Sequence, residues 1–309
     1  MFSIIIPTFN NIDYLKICIS SLKKNSFYKN QIIVHINIGN DNSIEYLKSE
    51  NIDYSYTNYN SGICKGVNMA SKLATTNFIV YAHDDFYFCP NWDKFIFDEI
   101  QKIGHDKFYL SSSTIGTYGN SLNCGDSHKN FDEEKFLQHY NDIKFKDLQG
   151  STWAPHVVHK SLWFKVGGFS EEFFPGAGSD PDFNMKLWNE GVRLFKTISN
   201  SKIYHFKSKT LRRHVSSVGS KSSKIFLKKW GISIKFFKKY YLESGTIFLK
   251  ELEGPKKSFF YLFELLLCKV NYFYLKISNK SEMFKIETIW KIRKTTDNFN
   301  YNQLYKFTK

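Results

Sequence analysis

The sequence contains few cysteines, and none stands in a spacing that builds a metal site or a disulfide framework. Five cysteines occur in 309 residues, an odd number, and no two form a Cys-x-x-Cys pair. A structural zinc site and a disulfide-rich secreted fold are therefore disfavoured, and a reducing cytoplasm fits best. We expect a cytoplasmic protein with a real hydrophobic core, since 42% of the residues are hydrophobic and 18% are aromatic.

Long apolar runs are also missing. No stretch reaches about 18 uninterrupted apolar residues, the usual length of a membrane-spanning helix, and the nearest, residues 259–267, contains Glu264. The first apolar run, residues 2–6, has no basic leader and ends at Pro7, which predicts a strand instead of a signal peptide. No glycine-rich phosphate loop lies near the N-terminus, and its absence disfavours a nucleotidyltransferase built on an α/β sheet.

Acidic residues are scarce in the last third of the chain. Residues 1–205 carry 20 Lys and Arg against 22 Asp and Glu, whereas residues 206–309 carry 23 against 7. We predict a basic, aromatic-rich helical extension over residues 216–309 that associates peripherally with an anionic membrane surface. The alternative is an amphipathic helix packed on the rest of the protein with solvated lysines. The apolar helical face in question carries Phe226, Trp230, Phe237 and Tyr241.

Residues 1–215 alternate between short apolar runs and segments of helical periodicity. This alternation predicts an α/β fold with a mixed, mostly parallel central sheet and flanking helices. The polar region 108–150 is predicted to form irregular loops. The predicted strands include residues 2–6, 31–38, 78–82 and 192–205, and the predicted helices include residues 11–24, 43–50, 66–74 and 181–189.

Two carboxylates, Asp84 and Asp85, directly follow the strand predicted at residues 78–82. Ligands of parallel sheets bind at the carboxyl ends of the strands. Adjacent carboxylates repel each other unless a cation or hydrogen bonds compensate, and Mn²⁺ or Mg²⁺ takes oxygen ligands while bridging to substrate phosphates. The pair thus predicts a divalent-metal site; a surface turn rich in Asp is the alternative.

Two later groups have both a structural and a chemical interpretation. Asp180 and Asp182 flank Pro181 at a predicted helix start, where carboxylates serve as ordinary caps or as a general base. His205 lies between two aromatic residues at the end of a predicted strand. It is a core histidine, unless the fold brings it to the Asp pair as a ligand.

Five short motifs follow one another in a specific order along the chain. Residues 3–10, 60–62, 83–85, 166–171 and 178–183 read Ser-Ile-Ile-Ile-Pro-Thr-Phe-Asn, Asn-Ser-Gly, His-Asp-Asp, Val-Gly-Gly-Phe-Ser-Glu and Gly-Ser-Asp-Pro-Asp-Phe. Together they resemble the family 2 glycosyltransferases with the GT-A fold, over about residues 1–215. The resemblance implies a catalytic domain at 1–215, followed by the basic extension.

The resemblance also implies a reaction: metal-dependent transfer of a sugar, with inversion, from a nucleotide-sugar donor to a hydroxyl of a glycan or lipid-linked acceptor. Cell-surface polysaccharide or lipopolysaccharide biosynthesis would be its setting, with no nucleic-acid partner. By position it assigns Asp180 as the catalytic base, and Asp85 and His205 as ligands of Mn²⁺ or Mg²⁺. Its donor-binding residues are Pro7, Thr8, Asn37, Gly62, Lys65 and Asp84. Its acceptor-side residues are Trp153, Ser179 and Asp182, with Trp188 as a further sugar-facing aromatic.

Three positions depart from the family pattern. His83 stands where an Asp is common, Ser179 replaces the Glu of a Glu-Asp pair, and Asn37 lies where an acidic pair is usual. These changes leave the expected fold intact and bear on donor identity and metal coordination. The His83 and Ser179 departures, together with the basic extension, also support an alternative of another class, a non-catalytic membrane- or nucleic-acid-binding protein on a degenerate transferase fold.

Overall fold

The computed structural model describes residues 1–116, 122, 124–206 and 215–278, with the side chains of 215–220 excepted. The basic residues 207–213 and the end of the extension, residues 279–309, lie outside the described residues. No disulfide links any of the five cysteines, all of which are buried. No helix in the described ranges is both long enough and apolar enough to cross a membrane.

The first 81 residues alternate strand and helix, as predicted except for a strand at Asp53–Thr57 that was not predicted, and their four strands pair in parallel. Three of these strands are largely apolar and buried because helices cover the sheet on its faces, whereas the strand at Asp53–Thr57 lies at the edge of the sheet and is polar. The elements are β1 (Phe2–Phe9), α1 (Ile12–Asn25), β2 (Gln31–Asn37), α2 (Ser43–Ser49), β3 (Asp53–Thr57), α3 (Gly62–Ser71) and β4 (Phe78–Tyr81).

The rest of the sheet is mixed. The complete strand order is β3-β2-β1-β4-β8-β6-β9-β5, with β7 on β9, and β8 runs antiparallel to both of its neighbours. The predicted α/β architecture is confirmed. The further elements are β5 (Phe86–Phe88), α4 (Trp92–Ile103), β6 (Phe108–Ile115), α5 (Glu133–His139), β7 (Leu148–Gln149), β8 (His156–His159), α6 (Lys160–Lys165), a 3₁₀ turn (Glu171–Phe173), α7 (Ser179–Asn189) and β9 (Leu194–His205).

The prediction of irregular loops over 108–150 was wrong at its start, because β6 is a central strand of the sheet. Three consecutive serines lower the hydrophobicity of β6, yet they are buried. Ser111 Oγ lies 2.5 Å from Ser151 Oγ, and Ser112 Oγ lies 2.7 Å from Ser201 Oγ. Buried hydroxyls are tolerated once paired in this way, so a polar sequence forms an interior strand.

The described residues of the extension are largely helical and pack on the part of the chain that contains the sheet. The extension contains α8 (Val215–Trp230), the short α9 (Ile234–Phe236) with a π-helical turn (Phe237–Tyr241), and α10 (Phe259–Ser278). Phe226 and Phe237 are fully buried and belong to the same hydrophobic cluster as the sheet. The apolar face that was predicted to contact the membrane therefore contacts protein. The alternative prediction, an amphipathic helix packed on the rest of the protein, describes this segment.

A buried ion pair joins α8 to α7. Lys229 Nζ lies 2.8 Å from Asp182 Oδ1 and 2.9 Å from Glu172 Oε1, and its side chain is 1% exposed. Trp230 Nε1 donates to Asp182 Oδ1 at 2.8 Å, while Ser170 Oγ donates to Oδ2 at 2.5 Å. Breaking such a pair on one side leaves a buried charge uncompensated, so this contact fixes α8 against the start of α7.

Replacing Lys229 with methionine is expected to lower the free energy of unfolding by about 3–5 kcal/mol, because Asp182 loses its ionic partner. Lys224→Met, an exposed site on the same helix, is the matched control and should cost less than about 0.5 kcal/mol. Urea denaturation followed by circular dichroism measures both. Equal losses in the two variants would contradict the proposed role of the ion pair.

Candidate functional site

The strand pairing brings His205 to the acidic residues that follow β4. Strand β5 runs antiparallel to β9 with Phe86 opposite His205, and the Phe206 amide donates to the Asp85 carbonyl at 3.2 Å. As a result His205 Nε2 lies 3.2 Å from Asp85 Oδ2, and His83 Nδ1 lies 4.0 Å from Asp85 Oδ1. Residues 120 positions apart in sequence thus form one cluster at the carboxyl end of β4.

Two aromatic residues set the orientation of the cluster imidazoles. The Phe86 ring stacks on His83 with centroids 4.8 Å apart and meets His205 edge-on at 4.8 Å. The Tyr81 hydroxyl lies 2.9 Å from His83 Nε2, so Nδ1 is left facing Asp85. Burial lowers the pKa of His83 to about 4, which keeps the imidazole neutral near pH 7, as a metal ligand must be.

The cluster has the composition of a divalent-metal site. One ligand atom from each of His83, Asp85 and His205 lies within 4.8 Å of the others. Two imidazole nitrogens and a carboxylate oxygen are suitable ligands for a transition metal. Asp84 lies beside them, and burial first, then the neighbouring Asp85 charge, raises its pKa well above the ordinary range. A cation here would relieve that repulsion, so the residues fit a metal.

Asp180 lies in the first turn of α7, and its side chain is 24% exposed. Its Oδ1 is buried and accepts no hydrogen bond from the described residues; His156 Nδ1 is 3.8 Å away. Burial raises the pKa of Asp180 to about 7. A carboxylate with that pKa and an unoccupied oxygen can accept a proton near neutral pH.

Behind Asp180 lies a buried pair that sequence reasoning missed. His156 Nδ1 lies 2.9 Å from the Tyr109 hydroxyl, and the His156 ring stacks on Phe183 at 5.6 Å. Burial lowers the pKa of His156 to about 3, so this imidazole is neutral and adds no positive charge beside Asp180. His156 also lies opposite Tyr81 across the β4–β8 pairing. That pairing joins the surroundings of Asp180 to those of the metal cluster, and no local sequence signal indicates it.

The predicted donor residues gather at the carboxyl ends of β1 and β2. Thr8 donates to Asp84 Oδ2 at 2.7 Å, which fixes that carboxylate. Asn37 Oδ1 accepts from the Ser61 amide at 2.8 Å and from its hydroxyl at 2.7 Å, so Asn37 braces the loop before α3. Pro7 is buried within β1, one residue before Thr8. Asn37, which stands where an acidic pair is usual in the family, therefore holds the conformation of this loop.

Gly62 and Lys65 form the first turn of α3 near the same edge. Gly62 has φ +75°, and a Cβ there would lie 2.7 Å from the Phe174 ring and 3.2 Å from the Pro175 carbonyl. Only glycine fits this close approach without strain. Lys65 Nζ donates to the Tyr59 hydroxyl at 2.6 Å, with the ammonium beside that ring. The partly exposed lysine remains a candidate for a phosphate contact.

The predicted acceptor-side residues are placed differently from one another. Trp153 is half-buried, and its carbonyl accepts from the Tyr109 hydroxyl at 3.3 Å. Ser179 is buried and donates to the Gly176 carbonyl at 2.7 Å. Asp182 is fully buried in the ion pair with Lys229, a position that binds helix α8 and offers no open oxygen to a sugar. Trp188 is buried against Phe195 and Tyr241.

Comparison with known proteins gives consistent matches. A family model described as "Glycosyl transferase family 2" matches residues 3–161. The chondroitin synthase of Escherichia coli is 22% identical over 278 residues, covering 79% of this chain and 40% of that protein. The chain therefore spans less than half the length of this curated relative.

Solved structures of S. aureus TarS, residues 1–349, share the fold. The complex with UDP has a TM-score of 0.51 at 20% identity, covering 66% of this chain and 59% of that one. The complex with UDP-GlcNAc has a TM-score of 0.54 at 14% identity, covering 90% of this chain and 73% of that one. At such identities the likeness describes the architecture alone.

Proposed function

The chain belongs to glycosyl transferase family 2 and is a glycosyltransferase, and we propose that it transfers a sugar with inversion from a nucleotide-sugar donor to a hydroxyl group of a glycan or a lipid-linked acceptor. One observation carries this proposal. The cluster of His83, Asp85 and His205 fits a metal, and Asp180 has a carboxylate oxygen that accepts no hydrogen bond from the described residues. The pairing of β4 with β8 connects the surroundings of these two groups. The reaction needs two carboxylate environments of this kind, one ionised and one able to take a proton.

Asp180 is the proposed base. It would accept the proton of the acceptor hydroxyl while that oxygen attacks the anomeric carbon from the face opposite the leaving group. The raised pKa, about 7, makes Asp180 a better base than an ordinary carboxylate and leaves a useful fraction ionised near neutral pH. The neutral His156 behind it avoids an ion pair that would weaken its basicity.

His83, Asp85 and His205 are the proposed metal ligands, and we propose Mn²⁺ or Mg²⁺ as the ion. Two imidazoles favour Mn²⁺ of these two, because Mg²⁺ prefers an oxygen-only shell. A cation held by these residues would supply positive charge to stabilise the leaving diphosphate. Thr8 and Tyr81 would keep Asp84 and His83 in place for it.

For the donor we propose a UDP-sugar. The support is the fold shared with TarS, whose structures contain UDP and UDP-GlcNAc. For the pathway we propose the biosynthesis of a cell-surface polysaccharide, and the support is the similarity to a chondroitin synthase. A cytoplasmic location stays a prediction. The non-catalytic alternative is not favoured, because His83 would supply a ligand nitrogen where the family pattern has an oxygen.

A donor screen tests this proposal. Purified protein is incubated with a panel of nucleotide sugars, with Mn²⁺, with Mg²⁺ or with chelator, and release of the nucleoside diphosphate is scored. We expect turnover with at least one UDP-sugar, greater with Mn²⁺ than with Mg²⁺ and lost with chelator. Absence of both turnover and nucleotide binding across the panel would refute the proposed reaction, and turnover unaffected by chelator would refute the metal site.

A further inference from the structure

Helix α10 exposes an unbroken apolar face. Ten large hydrophobic side chains on it are between 46% and 77% exposed, at positions that recur every three or four residues and so share one side of the helix. No charged residue interrupts this face. The ten are Phe259, Phe260, Leu262, Phe263, Leu266, Leu267, Val270, Phe273, Tyr274 and Ile277.

The opposite side of α10 is anchored on the protein, which fixes the direction of the apolar face. Tyr261 and Cys268 are buried, and the Tyr261 ring lies 5.1 Å from those of Phe236 and Tyr240. Lys239 pairs with Glu264 at 2.6 Å beside this contact. A monomeric protein rarely exposes a continuous apolar patch of this kind unless another surface covers it.

The segment of the chain that contains α10 has an excess of positive charge. Residues 221–278 contain 12 lysines and 4 glutamates, and one of those glutamates is the paired Glu264. Lys269 and Lys276 stand seven residues apart, on one border between the buried and the apolar sides, and Lys256 and Lys257 precede the helix. The surface that covers this face should therefore carry negative charge.

We propose that the apolar face of α10 docks in the interface of an anionic lipid bilayer, with the helix lying parallel to the membrane plane. Five of the ten side chains are Phe or Tyr, residues that favour the boundary between headgroups and acyl chains. The 20-residue helix, about 30 Å long, inserts its apolar side while the bordering lysines reach the lipid phosphates.

Charge argues against the other two occupants. A second copy of the chain would bring two lysine-rich surfaces together. Residues 279–309 of the same chain hold 7 Lys and Arg against 3 Asp and Glu, so they too add positive charge. Only an anionic surface complements both the apolar face and its border.

Docking of α10 would also orient the catalytic part. Helix α10 packs on the segment formed by α8 and α9, and α8 holds Asp182, two residues after Asp180. The acceptor side of the site would thereby have a fixed relation to the membrane. The docking itself needs neither donor nor metal and is independent of the proposed reaction.

Vesicle flotation of the full chain tests the proposal. The vesicles are phosphatidylcholine alone, or phosphatidylcholine mixed with phosphatidylglycerol. We expect the wild type to float with the mixed vesicles, and the double variant Leu266→Glu, Phe273→Glu to bind at least about tenfold more weakly. Leu73→Glu, at a leucine exposed on the catalytic part by 41%, is the matched control and should bind as the wild type does.

A second variant keeps the test decisive if the acidic one folds poorly. Lys269→Gln, Lys276→Gln should weaken binding to the mixed vesicles by about fivefold per lysine, with no change on neutral vesicles. Light scattering in parallel reports the oligomeric state. The proposal is overturned by binding that neither variant reduces, by a wild-type monomer that binds no vesicle, or by a dimer that the acidic variant dissociates without any vesicle binding.

Discussion

Asp85→Asn is expected to lower kcat/KM by about a thousandfold or more, because metal ions contribute several kcal/mol of transition-state stabilisation in reactions of this kind. Asp85 Oδ2 lies 3.2 Å from His205 Nε2, and Asp85 Oδ1 lies 4.0 Å from His83 Nδ1. An amide has nearly the same shape but carries no charge, so it tests the carboxylate itself. The measurement is a Mn²⁺ titration of initial rates with the donor found active in the screen.

Direct metal binding separates the loss of the metal from a loss of folding. Isothermal titration of Mn²⁺ should show a site in the wild type that Asp85→Asn lacks, while circular dichroism shows unchanged helix content. Asp106→Asn, at a carboxylate that is 65% exposed and outside the cluster, is the control and should keep both binding and rate. Wild-type Mn²⁺ affinity in Asp85→Asn would remove Asp85 from the ligand set.

Asp180→Asn is expected to reduce transfer by about a hundredfold to ten-thousandfold, the usual contribution of a general base, while donor binding stays close to that of the wild type. The Asp180 carboxylate is outside the metal cluster, so removing its charge leaves the proposed diphosphate contacts intact. Single-turnover transfer and equilibrium titration of the nucleotide measure the two effects separately. Glu190→Gln, just after the same helix, is the control. Transfer at the wild-type rate in Asp180→Asn would exclude this residue as the base.

The raised pKa of Asp180 predicts how the rate depends on pH. Because burial holds that pKa near 7, kcat/KM of the wild type should rise with pH up to about 7 and then level off. The sign follows from the role, since a base must be ionised to act. An Asp180→Asn variant should lose this acid limb from its residual rate.

Stability should respond in the opposite sense at the same residue. The pKa of Asp180 is raised from 3.8 to about 7 on folding, so ionisation destabilises the folded state progressively between about pH 4 and pH 7 and fully above that. Asp180→Asn should therefore be more stable than the wild type at pH 8 and equally stable at pH 4 in urea titrations. Lys229→Met, by contrast, is expected to lose stability, although the ionic partner of Lys229, Asp182, lies only two residues from Asp180.

Much of the fold was predictable because its signals are local. The apolar runs that became β2 and β4 and the periodic segments that became α1 and α2 lie within one residue of their predicted bounds, whereas β1 extends three residues beyond its predicted end. Strand β6 was missed because its serines lower the hydrophobicity, and their hydrogen-bond partners, Ser151 and Ser201, lie far along the chain. Polarity and burial are compatible only through those distant contacts.

The candidate site divides in the same way. Asp84 and Asp85 were found because they directly follow an apolar strand, and Asp180 because it stands at a helix start within an ordered set of motifs. His156 and Tyr109 carry no local signal; the antiparallel pairing of β8 with β6 places them together behind Asp180. Sequence order cannot indicate such neighbours, because the pairing register that joins them is set by the whole sheet.

By itself the sequence determined the family, the alternation of strands and helices, the position of the acidic pair and the basic character of the extension. Only the tertiary structure decided that His205 reaches Asp85, since this requires the antiparallel register of β5 with β9. It also decided which apolar helix face is covered. Helical periodicity identifies an apolar face on α8 and on α10 alike, but what lies against that face depends on long-range packing, which buries Phe226 and leaves Phe263 exposed.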